Sequence, residues 1–290
     1  MFPLEIPMKA RLVVLPDVHR DLAKAKAILR RCNVTDDNDK WMCYDTVVVQ
    51  MGDQIDGASR VPGGGAHKEH FHGVATTQDV ATLDFFTSLA EQAPGYNSVC
   101  VSMVGNHEIM NAAGLFQYAD LDGCPICTRA RGLVFRRGSP TCKRLADTRA
   151  CVLKVGPFLL SHAGVTPDHL ARVNGDLNMY NRYARAFLLG EGRAMHISNA
   201  LIGGDGLLSH RAYQPASVTS ETMARVQRVL AATGTSHMIT AHNTTPGMVP
   251  VFGNNNELIV FDPGMSRAVA DQKPAALDIR EGEINVVKAP

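Results

Sequence analysis

Five times along this chain a short apolar run, rich in β-branched residues, stops on an Asp, Asn or His. The runs are LVVLP before Asp17 and His19, VVVQMG before Asp53 and Asp56, VSMVG before Asn106 and His107, FLLS before His162, and HMITA before His242. Such runs read as strands. A strand that ends in a solvated loop usually finishes on a turn former. Asn106-His107-Glu108 instead sets an amide, an imidazole and a carboxylate side by side, three groups able to bind a metal or move a proton. In open α/β sheets ligands bind outside the carboxyl ends of the strands, so the five loops can converge on one site.

Strands are predicted at 11–15, 46–50, 98–104, 151–155, 158–161, 236–241, 248–252 and 257–261, with 284–287 as a last one, and helices at 21–32, 77–91, 167–189 and 218–232. Strands alternate with helices at first and cluster at the end, which gives an α/β fold with mixed sheets. From 111 to 150 the pattern is broken by Gly, Pro, Cys and many Arg, so the chain reads as one domain over 1–290 with a cap or insertion at 112–150. Three consecutive glycines precede His67, His70 and His72, a polar excursion that could overhang the site.

A formal net charge of +1 and the absence of any block of like charge argue against a nucleic-acid or membrane partner. Pro3, Glu5 and Pro7 interrupt the only apolar stretch near the start, so the expectation is an unexported, cytoplasmic protein. Seven cysteines at irregular spacing do not make a disulfide framework, and reduced thiols are expected. Cys124 and Cys127 invite a zinc reading, but Cys142 and Cys151 have eight residues between them, too many for a ribbon. Gly203-Gly-Asp-Gly206 lacks the preceding strand and following Lys of a phosphate loop.

The polar residues at the strand ends form an oxygen and nitrogen donor set without thiolate, which suits Mn, Fe or Zn. A carboxylate such as Asp53 can bridge two cations held about 3.5 to 4 Å apart, the arrangement used for in-line displacement at phosphorus. Asn106 then reads as a ligand and His107 as the acid beside it.

The order Asp-x-His, Gly-Asp-x-x-Asp, Gly-Asn-His-Glu, His-x-Gly and a later His resembles the calcineurin-like metallophosphoesterases. Within them it is most similar to the phosphoprotein phosphatase group and its Shewanella-like branch, from about Leu12 to Gly264. The resemblance implies two mixed β-sheets in a sandwich flanked by helices, with a dinuclear metal centre, manganese foremost. It implies that Asp17 and His19 hold the first metal, that Asp53 bridges, and that Asn106, His162 and His242 hold the second. His107 matches the general acid, Asp56 the carboxylate that orients it, and metal-bound hydroxide would be the nucleophile. Asp262-Pro-Gly-Met-Ser resembles the family's closing segment and reads as structural.

Several positions depart from the family pattern. Pro16 and Arg20 replace glycines beside the first motif, and Gly57 stands where an arginine is expected after Asp56. Arg60 is a candidate to take over phosphate binding, behind Arg211, with Arg182 and Arg185 weaker candidates still. Thr244 replaces the second His of phosphodiesterase relatives and cannot ligate as that His would. The chain therefore leans to phosphomonoesterase chemistry on a phosphorylated protein, at phosphotyrosine or phosphoserine/threonine, or on a small phosphomonoester. Two alternatives stay open: a nucleotide hydrolase such as a dinucleoside tetraphosphatase, which an aromatic-lined pocket would favour, and a non-catalytic binding protein of the same fold.

Overall fold

The computed structural model describes residues 3–60, 74–121 and 123–290, so the expectation for His67, His70 and His72 lies outside the described residues. In chain order the first half comprises β1 (Glu5–Ile6), β2 (Arg11–Leu15), α1 (Leu22–Arg31), β3 (Thr46–Gln50), α2 (Val74–Gln92), β4 (Val99–Met103), α3 (Asn106–Ala112), α4 (Pro125–Phe135), α5 (Pro140–Thr148) and β5 (Arg149–Ala150). The second half comprises β6 (Val152–Val155), β7 (Phe158–Ser161), α6 (Pro167–Arg172), α7 (Asn178–Leu189), α8 (Ala194–Ile202), α9 (Ser220–Thr233), β8 (His237–Thr240), β9 (Val251–Phe252), β10 (Leu258–Val260), β11 (Ala275–Arg280) and β12 (Glu283–Lys288).

Two mixed sheets, ordered β1-β6-β7-β8-β10-β9 and β12-β11-β2-β3-β4-β5, are flanked by helices. The inner strands β2, β3, β7 and β10 are buried along their whole length because both of their faces are covered. Alternate side chains divide between two cores. Leu12, Val14, Val47 and Val49 meet Leu153, Val155, Leu160, Ile239 and Ile259 between the sheets. Val13, Leu15 and Val48 face outward onto Ile28, Leu29, Trp41, Phe86 and Leu89 from α1, the loop after it, and α2. On the far side Val152, Leu159, Met238 and Leu258 pack with Leu145, Phe187, Leu201 and Val226 of α5, α7, α8 and α9.

The neighbours β2, β3 and β4 run parallel, as do β7 and β8, so the carboxyl ends within each set open on one side. Those are the ends that carry the polar residues singled out above.

Four local expectations need correction. The single helix at 167–189 is two, α6 and α7, because Asn174 and Gly175 adopt left-handed backbone (φ 50° and 81°) that ends the first. The irregular stretch at 111–150 holds α4 and α5, each with Pro in its first turn and a side-chain cap from Cys124 or Ser139. The strand at 248–252 shrinks to Val251–Phe252, and β11 went unread. The expected thiols are not all reduced: Cys124 and Cys127 form a disulfide at the start of α4, while Cys32, Cys43, Cys100, Cys142 and Cys151 are free. No helix among the described residues is long and apolar enough to cross a membrane.

Candidate functional site

The glycines of the two most specific motifs explain how the site is assembled. Gly52, ahead of Asp53, has φ 97°, and a Cβ there would stand 2.5 Å from the backbone nitrogen of Gly105. Gly105, ahead of Asn106, would drive a Cβ to 2.1 Å from Oδ1 of Asp53. The β3 and β4 loops therefore cross backbone against backbone, and only glycine permits the approach. Glu108 fastens this crossing. Its carboxylate accepts the amides of Gly105 (2.8 Å), Asp53 (3.1 Å) and Gln54 (2.8 Å), so it works as a staple outside the donor cluster.

His19, Asp53, Asp56 and His242 have φ of 41°, 49°, 70° and 61°, left-handed values that are costly for side chains of this type and recur at functional sites. The geometry turns each side chain back over the strand ends. Asp17, His19, Asp53, Asn106, His107 and His242 line a cleft of about 320 Å³ together with Arg60, Tyr118, Arg211, Gln214, Asn243, Thr244 and Val269. His162 is fully buried beneath it.

Oδ1 of Asp53 accepts the His107 amide at 2.9 Å, which leaves Oδ2 facing three imidazoles. It lies 3.2 Å from Nε2 of His162, 3.7 Å from Nε2 of His107 and 3.8 Å from Nε2 of His19. Backbone carbonyls hold the opposite ring atoms. Nδ1 of His162 lies 2.9 Å from Met51 O, Nδ1 of His19 lies 3.2 Å from Ile55 O, and Nε2 of His242 lies 3.1 Å from Ser209 O. Such partners orient an imidazole and fix which nitrogen is free to ligate. Oδ1 of Asn106 is 3.0 Å from Nε2 of His162.

Two donor groups emerge that could each hold a metal ion and that share Asp53: His19, Asp53 and His107, and Asp53, His162 and His242. Asp17 flanks both, with Oδ2 3.8 Å from His19 Nε2 and Oδ1 3.6 Å from His162 Nδ1, and that Oδ1 is buried without a hydrogen-bond partner. An orphaned, buried carboxylate oxygen beside a dense set of O and N donors fits a divalent cation.

The electrostatics match. Burial, reinforced by Asp262, lifts Asp17 well above the usual carboxylate range. Burial also presses Asp53 upward, but His107 and His162 outweigh it and hold that carboxyl well below the range. Burial opposes charge on His162, yet Asp53 and Asp17 prevail and raise it to about 10. Burial and nearby positive groups push His19 and His242 well down.

His107 and Asp56 form a dyad, with Nδ1 2.7 Å from Asp56 Oδ2, and Nε2 faces the cleft. Arg60 lies 3.0 Å from that Nε2, and its guanidinium stacks 4.9 Å from the Tyr118 ring. Arg211 donates to His242 O (2.8 Å) and to Asn243 Oδ1 (3.2 Å) at the cleft rim. Arg182 pairs with Asp176 and Arg185 with Asp147 on the outer side of α7, and neither lines the cleft. Arg20 takes up the room beside Gly57, donating to Gly57 O (3.2 Å) and to Asp120 (3.0 Å).

Thr244 donates to Asp262 at 2.5 Å. In the Gly203–206 segment, Asp205 O meets Nε2 of His169 (3.0 Å) and Arg172 (2.9 Å), a tie between elements. The reading from sequence missed Arg131, Asn111 and Asp79, which surround Asp56. Arg131 is one of many arginines between 111 and 150, and nothing in the string sets it apart.

The two mixed sheets flanked by helices have the metallo-dependent phosphatase fold. The structure superposes on the cold-active protein-tyrosine phosphatase of a psychrophilic Shewanella species with a TM-score of 0.76, 19% identity and coverage of 100% of this chain and 83% of that one. It superposes on a protein serine/threonine phosphatase from Saccharomyces cerevisiae at 0.59, with 11% identity over 99% of this chain and 82% of that one. In sequence, 93% of the chain is 24% identical to Shewanella-like protein phosphatase 2 of Arabidopsis thaliana, across 75% of that protein. A shorter stretch, 40% of the chain, is 26% identical to Shewanella-like protein phosphatase 1 of Plasmodium berghei (strain Anka), across 27% of it. No family model matches the chain. The chain is thus similar in sequence to Shewanella-like protein phosphatases and shares its fold with solved protein phosphatases.

Proposed function

We propose that this protein is a metal-dependent phosphomonoesterase acting on phosphorylated proteins, at phosphotyrosine or phosphoserine/threonine. The supporting observation is the His107–Asp56 dyad, whose Nε2 lies 3.7 Å from Oδ2 of Asp53 in the cleft that gathers the strand-end donors. In this reading Asp17, His19 and Asp53 would hold one divalent cation, and Asp53, Asn106, His162 and His242 would hold a second. Manganese is the proposed ion, in keeping with the oxygen and nitrogen donors. The cations would supply charge against the phosphoryl oxygens and lower the pKa of water.

The chain's own residues do the rest. Arg60 and Arg211 grip the phosphoryl group, for which the guanidinium fork is suited. Arg60 donates to Nε2 of His107 at 3.0 Å, so turning Arg60 onto a phosphate frees that nitrogen to carry the proton given to the leaving oxygen. Asp56, bonded to Nδ1, fixes the ring and balances the charge it then carries. The 112–150 segment serves as a cap within a single domain, and the proposed compartment is the cytoplasm. Nucleotide hydrolysis finds less support, since apart from histidines Tyr118 is the one aromatic ring among the described lining residues.

The test is phosphate release from an aryl phosphate by chelator-stripped protein with and without manganese, comparing wild type with His107→Asn and offering phosphopeptides in parallel. Manganese-dependent turnover that drops about 100- to 10,000-fold in the variant is expected, the range for a lost general acid. Turnover without metal, or an unimpaired variant, refutes the mechanism.

A further inference from the structure

If Asp56 orients His107, something must orient Asp56, and no neighbour among the described residues of the β3 loop does so. The residue after it is Gly57, which has no side chain to offer. The structure supplies the missing group from the 112–150 segment. We propose that Arg131, on α4, is the positioning residue of the general acid, an inference that rests on the phosphatase reading above.

The Arg131 side chain is fully buried, and each of its three nitrogens has its own acceptor. Nη2 donates to Oδ1 of Asp56 at 2.5 Å, Nη1 to Oδ2 of Asp79 at 2.6 Å, and Nε to Oδ1 of Asn111 at 2.6 Å. The guanidinium lies 4.8 Å from the Phe135 ring on the same helix. Asn111 returns its amide to Oδ2 of Asp56 (2.8 Å) and to the carbonyl of His107 (2.9 Å). Asp79 closes the ring by accepting the Asp56 amide with Oδ1 at 3.1 Å.

Asp56 is thus held at three points: Arg131 on one oxygen, Asn111 beside His107 on the other, and Asp79 on its backbone. One carboxylate oxygen is left aimed at Nδ1 of His107. The guanidinium also sets its positive charge against the carboxylates of Asp56 and Asp79 where water does not reach. A lysine could not replicate this, because a single ammonium has no planar fork to serve three acceptors in fixed directions.

A merely structural role is the competing account, since the same contacts fasten α4 to α2 and α3. The two differ in what they do to the reaction. Loss of glue slows every substrate alike. Loss of aim slows those whose leaving oxygen needs a proton and spares those whose leaving oxygen does not.

The experiment compares wild type, Arg131→Lys and Arg131→Met on 2,4-dinitrophenyl phosphate and on an alkyl phosphate, with manganese content and melting temperature measured for each. Expected for Arg131→Met is a fall of about 100-fold in kcat on the alkyl ester, under about 10-fold on the dinitrophenyl ester, and KM within about 3-fold, since the general acid is the part impaired. Arg131→Lys should fall between, and Arg131→Ala should recover alkyl ester turnover when guanidinium is added. Equal losses on both esters with lowered stability, or an Arg131→Lys protein as active as wild type, would overturn the proposal.

A readout independent of turnover separates this inference from the phosphatase reading. The low-field NMR resonance of the His107 Nδ1 proton should be present in wild type and in Arg131→Lys, and lost in Arg131→Met. Wild type without phosphatase activity but with that loss would refute the function and leave the positioning intact, whereas an unchanged resonance in Arg131→Met would refute the positioning.

Discussion

Gly105→Ala adds one methyl group at the crossing of the β3 and β4 loops, and its cost can be read from the coordinates. The backbone there is extended, with φ −97° and ψ −178°, a conformation alanine adopts freely, so the whole effect must come from crowding. The new Cβ would stand 2.1 Å from Oδ1, 2.4 Å from the backbone nitrogen and 2.8 Å from Cγ of Asp53, whereas ordinary contact begins at 3.4 Å. None of these atoms is the free end of a flexible side chain. Asp53 must therefore retreat by more than an ångström, together with the Oδ2 atom that faces the imidazoles. Overpacking of this kind costs about 1–3 kcal/mol of stability, and an ångström of misplacement costs about 100-fold in rate. The expected result is a folded protein with a lowered melting temperature, weakened manganese binding by titration calorimetry and kcat/KM down about 100-fold on an aryl phosphate. Full turnover and metal affinity in Gly105→Ala would show that the glycine crossing does not set the position of Asp53, and the account of the motif would fail.

Burial opposes charge on His162, but Asp53 and Asp17 raise it from its ordinary 6.5 to about 10, so metal-free protein should show a pH-dependent stability. A raised imidazole stabilises the fold fully below pH 6.5 and loses that contribution as pH climbs towards 10, so the melting temperature should fall across that window. A flat profile, or the same slope in His162→Gln, contradicts this. Arg60→Ala and Arg211→Ala should each lower kcat/KM about 10- to 100-fold, the equivalent of one charged hydrogen bond of about 1.5–3 kcal/mol. Arg182→Ala, which removes a surface pair with Asp176 and a contact with Met179 away from the cleft, should change kcat/KM by less than about 2-fold. Thiol titration of the denatured, unreduced protein should find the five free cysteines, rising to seven after reduction, and seven from the outset would disprove the Cys124–Cys127 bond.

The chain announced its strands and the positions of its polar residues because both are local. An apolar run between turn residues is a strand whatever surrounds it, and a ligand set at strand ends keeps its spacing in the string. The parallel order of β2, β3 and β4 then suffices to bring Asp17, Asp53 and Asn106 to one edge. The break between α6 and α7 was hidden because an Asn-Gly pair is tolerated inside an apolar period. The Ala-rich start of β11 carried too little β-branching to be read as a strand.

What lay beyond the sequence was every relation between residues far apart along the chain. The close crossing of Gly52 and Gly105 and the capture of Asp56 by Arg131 both depend on how loops and helices pack. Residue type and spacing determined which chemistry was available. Tertiary packing decided which groups share a buried space, because charge pairing and steric exclusion act over ångströms in three dimensions and leave no periodic mark on the string.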